Sequence, residues 1–175
     1  MSNNLWQRLG AASGIVYVVL LIGGNSIGGP DIQIVFFMEI LAFLFFLFFL
    51  GNLWSALRRA EGGSGWLSAT AFGGGLMSVT IKVASAAPVL AALYRAGDGL
   101  DPQLARTLQD INDASFYLSF FPLAVLLAAF AIVAIQSGTL PIWLGWIAAA
   151  LGLGLAWAGY SLWSQKEEVV LQPTG

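Results

Sequence analysis

The chemistry available to this sequence starts with Lys82, an ammonium set sixteen residues beyond Trp66 inside a long apolar run. On a helix that is roughly 24 Å along the axis, near the middle of a bilayer entered at Trp66. A lysine at the centre of a membrane span costs about 2.5–3.5 kcal/mol on insertion scales, and such residues usually face a bundle interior or a wet cavity. Glu39 occupies another apolar run, eight residues past Asp31 and hence roughly 12 Å below the opposite, outer face. Opposite charges in the same half of a bilayer suggest an ion pair at a polar site. Side chains lean toward the N-terminus of their own helix, which directs the two residues apart. A pair therefore predicts a tilt, a bend at Pro88 or a bridging water. The alternative is an ammonium that snorkels to a headgroup or meets the carbonyls freed near Pro88.

Other polar residues fall where they could complete such a site. Ser68, Ala71, Gly75, Ser78, Lys82 and Ser85 recur at steps of three and four, forming one continuous helix face of small and polar residues. Such a face lets neighbouring backbones approach and offers hydroxyls to them. Asp113 and Tyr117 lie one turn apart on a shared face beside Asn112, at the start of a later span, while Asn25, Ser26 and Gln33 stand at similar height. All five could line an outer vestibule with Asp113, or they could be ordinary helix-end residues. The candidate binding residues are therefore Lys82, Glu39, Ser78, Ser85, Asp113 and Tyr117.

Catalysis has less support. Ser78 and Lys82 share a face, but nothing supplies an oxyanion site or a third orienting group. Cysteine and histidine are absent, which removes thiolate nucleophiles, zinc clusters and common haem ligands, so no cofactor is expected. Gly73 to Gly75 lack the strand, lysine and hydroxyl of a phosphate loop. With a net charge of −2 and no basic stretch, nucleic acid is not a partner.

Positioning these residues is the task of an all-α structure. Only 9% of the 175 residues are charged against 58% apolar, whereas a soluble domain carries about a quarter of its residues as charges. The uncharged intervals are long enough for helices of about 20 residues. They predict a polytopic transmembrane helix bundle of about five spans, near 9–28, 32–57, 66–94, 114–135 and 142–163, in one domain. Gly28-Gly29-Pro30-Asp31 reads as the first turn, Arg58 to Gly65 as a flexible polar connection, and Gln136 to Pro141 as the last turn. The run after Arg8 is read as a span and not a signal peptide, because no A-x-A-like cleavage site follows. From 102 to 112 an amphipathic helix is expected on the membrane surface, capped by Asp101 with Pro102 in its first turn. The stretch after Ser164 reads as a frayed polar tail. Gly10 with Gly14, Gly24 with Gly28, and Gly152 with Ala156 match the spacing of helix-packing faces.

Alternating the spans puts Arg8, Arg58 and Arg59 on one face and Arg95, Arg106 and Lys166 on the other. The basic count is tied, but the Arg58–Arg59 pair in a very short loop favours a cytoplasmic amino terminus. Trp6, Trp54, Trp66 and Trp143 then share the inner face, and Tyr94, Tyr160 and Trp163 the outer one, as indole and phenol rings at headgroup level should.

Between Leu104 and Leu151, the Asn-Asp-Ala-Ser-Phe start of a span and the short Gly-to-Pro turn before Trp-Leu-Gly-Trp carry a resemblance. That stretch resembles a loose group of small multi-span bacterial membrane proteins without assigned function. The resemblance implies a bacterial inner-membrane location and transfers no catalytic or binding residue. The expected function is noncatalytic: an intramembrane polar site in a lipid bilayer that binds or passes a small solute or ion. The alternative is a structural or regulatory subunit whose Phe-rich second helix and glycine faces pack against another membrane protein or a second copy of the chain.

Overall fold

In hydrocarbon every backbone N–H and C=O must be paired within its own segment, so the apolar runs fold as helices. The computed structural model describes residues 3–26, 32–95, 97 and 99–170, without the side chains of residues 3, 4, 6, 7, 25, 32, 33 and 162–170. Among the described residues there are six α-helices and no strand: α1 (Asn3–Ser26), α2 (Ile32–Glu61), α3 (Trp66–Arg95), α4 (Pro102–Leu118), α5 (Phe120–Ser137) and α6 (Ile142–Val170). The turn expected at 28–31 lies outside the described residues. So do the side chains of Trp6, Asn25, Gln33, Trp163 and Lys166.

Four helical stretches are long and apolar enough to cross a membrane: Ile34–Glu61, Trp66–Arg95, Pro102–Ser137 and Ile142–Ser161. The chain is an integral membrane protein. In α1 the apolar part, Arg8–Gly24, is shorter.

Two helix ends differ from expectation. The backbone of α6 stays helical to Val170, through the stretch expected to fray. The amphipathic helix does not stop near Asn112 but runs to Leu118, and a single residue, Ser119, separates it from α5. Pro122 explains the position of that joint. Its ring has no N–H for the carbonyl of Leu118 and crowds that turn, so the ladder is interrupted one turn before the proline. There the Ser119 N–H donates to the carbonyls of both Ser115 and Phe116, at 3.1 Å each. At its other end α4 is capped as its sequence predicts, Asp101 accepting from the Gln103 N–H at 3.1 Å with Pro102 in the first turn.

Successive passes run antiparallel. On α1, Gly10 abuts Asn52 and Gly14 abuts Phe49 near the end of α2, whereas Gly24 lies by Val35 and Met38 near its beginning. Trp54 of α2 stacks near Phe72 of α3. Gly74 of α3 sits against the backbone of Pro122 and Leu126 in α5, and Gly145, Gly152 and Gly159 of α6 meet α5 near Ala131, Ala124 and Phe121 in that reversed order. Packing is mainly sequential: α1 touches α2, α2 touches α3 and α5, α3 touches α4 and α5, and α6 touches α5 and α4. The core lies between the three central passes, in Phe43, Phe46, Leu50, Leu57, Leu67, Ala71, Val79, Leu126, Ala129 and Val133.

The connection between α2 and α3, expected to be flexible, is a tied turn. The Glu61 carboxylate accepts from the Leu67 N–H at 3.0 Å, the Ser68 N–H at 2.8 Å and the Ser68 hydroxyl, filling donors that the start of α3 leaves open. Arg58 donates to the carbonyls of Gly62 and Gly63. Gly65 has φ +72°, and a Cβ there would collide with the Arg58 side chain, so the turn requires glycine.

Candidate functional site

The small face of α3 is its packed face: Ser68, Ala71, Gly75, Ser78 and Ser85 are all buried. Lys82 on that face is thereby turned into protein, and its Nζ stands 3.7 Å from Oε1 of Glu39. This distance is within ion-pair range and long for a hydrogen bond. The two side chains are 18% and 30% exposed, so the pair is screened by water only in part. The same ammonium lies 4.4 Å from the ring centroid of Phe116, where the negative face of the ring attracts it. An electrostatic partner on each side replaces the headgroup that a snorkelling lysine would need.

The pair lines a partly open cavity of about 350 Å³. Its wall is assembled from five helices: Tyr17 and Leu21 of α1, Glu39, Phe43 and Phe46 of α2, Ser78, Val79 and Lys82 of α3, Asn112, Asp113 and Phe116 of α4 with the joint residue Ser119, and Phe120 and Leu123 of α5. Small-molecule sites begin at about 300 Å³, and they combine apolar walls with a few placed polar groups. Beneath it, the packed side chains of Leu50, Ala71, Leu126 and Ala129 are buried and apolar, and the Tyr17 ring packs at a tilt against Phe46, 4.9 Å between centroids. On that side the cavity is therefore closed by an apolar floor.

Of the residues singled out from sequence, Lys82, Glu39, Ser78 and Asp113 meet in this cavity, and Asn112 joins them. Ser85 does not. It is buried one turn further along α3, where its hydroxyl donates to the Lys82 carbonyl at 2.7 Å. Tyr117 is also absent from the wall, although its ring lies beside those of Phe116 and Phe120. The reason is angular. Asn112, Phe116, Ser119 and Leu123, at steps of four, three and four, form the stripe that faces α3, and at 3.6 residues per turn Tyr117 lies well round from its centre. Ser26 is exposed and bonds to the Ile22 carbonyl of its own helix; Asn25 and Gln33 fall outside the described side chains.

The hydrogen bonds leave the polar wall rich in acceptors. The Ser78 hydroxyl donates to the Ser119 carbonyl at 3.0 Å, and the Ser119 hydroxyl to the Phe116 carbonyl at 2.6 Å. Asn112 and Gln109 both donate side-chain amide hydrogens to Oδ1 of Asp113, at 3.2 and 3.0 Å. Sequence inspection overlooks Tyr17, Phe116, Ser119 and Phe120. Of these, the 112–116–119–123 spacing is the signal that finds Phe116 and Ser119. Among the described residues no group of three acidic, histidine or cysteine side chains could hold a metal ion.

Comparison with protein-family models, with curated proteins and with solved structures gave no match. Function must accordingly be argued from this geometry.

Proposed function

We propose that the protein is a noncatalytic membrane protein whose vestibule binds a small solute or ion reaching it from one face of the bilayer. The observation that carries this reading is the Lys82–Glu39 pair placed on the wall of a cavity that Asp113 and Asn112 also line. Charges retained in a span mark solute or ion sites, because their insertion cost is offset only by polar company. The apolar floor favours binding over open passage. A bacterial inner-membrane setting and a cytoplasmic amino terminus belong to the same proposal, supported by the Arg58–Arg59 pair in a short connection. On that orientation the vestibule opens to the side opposite the cytoplasm.

The chain has no cysteine, so single-cysteine variants report cleanly on water. Cysteines replacing Ser78 and Asn112 should react with a membrane-impermeant maleimide added from the vestibule side, while Ser85→Cys and Ala129→Cys stay inert. Inert thiols at both vestibule positions would mean a dry interface. The alternative reading, a subunit packed against another membrane protein, would then stand.

A further inference from the structure

The charge and hydrogen-bond inventory of the vestibule narrows the solute class. Among the described residues its wall carries two carboxylates, Glu39 and Asp113, against one ammonium, Lys82, an excess of one negative charge. Lys82 forms its ion pair with Glu39. Asp113 has no cation within ion-pair distance among the described residues, and both amides that reach it donate to Oδ1, leaving Oδ2 without a donor. The two serine hydroxyl hydrogens point to main-chain carbonyls, so the oxygens present lone pairs to the cavity. What the wall lacks is a second positively charged group to match Asp113.

The apolar part of the wall is mainly aromatic, Tyr17, Phe43, Phe46, Phe116 and Phe120 standing beside the aliphatic Leu21, Val79 and Leu123. Ring faces beside carboxylates are the combination that holds organic ammonium groups. An inorganic divalent ion has too few ligands here. Lys82 itself demonstrates the chemistry, being a primary alkylammonium resting over Phe116 with a carboxylate at its side.

Resting on the solute-site reading above, we propose that the vestibule takes a small organic cation, a protonated primary amine with a short apolar body. Its ammonium sits at Asp113, donating to Oδ2 and the neighbouring acceptor oxygens, and its body lies among Phe43, Phe116 and Phe120. Lys82 is then a built-in competitor for the same negative field.

Competition makes the test sharp, because it reverses the usual expectation for a charged residue in a binding site. Phenethylammonium, phenylacetate and benzyl alcohol serve as cationic, anionic and neutral probes, titrated calorimetrically against the full chain in lipid nanodiscs. The cation should bind with the highest affinity. Asp113→Asn should weaken it about tenfold or more, the scale of losing one charge-assisted contact. Lys82→Met should strengthen it severalfold. The charge-neutral Glu39→Gln/Lys82→Met double variant keeps Asp113 and should still bind the cation, so the proposal remains testable if either single variant of the pair fails to fold. Phenylacetate binding that vanishes in Lys82→Met, or cation binding indifferent to Asp113→Asn, overturns the assignment. If no probe binds while cysteines at Ser78 and Asn112 react, the cation assignment falls and the solute site survives. If those cysteines are inert, the site itself falls.

Discussion

At the residue scale the question is what Lys82 and Glu39 do for one another. Removing the ammonium leaves Glu39 as a second carboxylate without a counter-ion in a cavity that already holds Asp113. Truncating one partner of a poorly hydrated pair costs more than removing both, because the survivor keeps its desolvation penalty. Lys82→Met is therefore expected to lower the unfolding midpoint, and Glu39→Gln added to it to restore most of the loss, with a coupling of about 1–2 kcal/mol in a double-mutant cycle. Additive losses would show that the 3.7 Å approach carries no interaction. These two residues were legible in the sequence because a charge inside an apolar run stands out on cost alone. Tyr17 and Phe116 were not, since an aromatic ring in an apolar span offers no such contrast. Tyr117 drew attention through its hydroxyl and its step of four from Asp113, but the face toward α3 is set by residues 112, 116, 119 and 123. Only the packing partner selects between two adjacent faces.

At the scale of elements, the close crossing of α3 and α5 is decided at Gly74. A Cβ there would stand 2.6 Å from the Pro122 carbonyl oxygen and 3.0 Å from the Leu126 nitrogen, both backbone atoms that cannot rotate away. Its neighbour Gly73 would meet nothing within 4 Å. Gly74→Ala should thus destabilise by about 1–3 kcal/mol, as overpacking does. Gly73→Ala should be neutral or stabilise by up to about 1 kcal/mol, the helical penalty of glycine. Denaturant unfolding in mixed micelles measures both, and equal effects would place the crossing elsewhere. In the α2–α3 turn, Gly65→Ala should cost about 1–2 kcal/mol from its left-handed backbone alone, with added strain against Arg58. Helix existence and the Asp101 cap followed from apolar runs and turn chemistry. The joint at Ser119 did not, because the polar-to-apolar change near Asp113 hid the effect of Pro122 in the first turn of α5. The Arg58–Gly65 connection looked flexible by composition, yet Glu61 reaches forward to cap the next helix, a contact set by the shape of the turn.

For the whole molecule, the antiparallel order places the turns around Ser64 and Thr139 on one face and the connection around Leu100 on the other. An impermeant thiol reagent applied to sealed vesicles should label cysteines at Ser64 and Thr139 from one side and a cysteine at Leu100 only from the opposite side. Labelling of all three from the same side would contradict the alternation. Three described aromatics fit that arrangement, Trp66, Trp143 and Tyr94 being exposed at helix ends, whereas Trp54 and Tyr160 are exposed two and nearly three turns from the ends of α2 and α6. Because each pass packs chiefly on the one made just before it, the fold has low contact order for its size. Synthesis can then proceed without any helix waiting for a distant partner. As the chain leaves the ribosome, α2 delivers Glu39 into the bilayer before α3 brings Lys82, so the ammonium finds its counter-charge already installed. Phe116 and the second carboxylate arrive only with α4. During that interval the nascent protein holds its most expensive side chain by a single companion, which makes Glu39 as much an aid to insertion as a member of the finished vestibule.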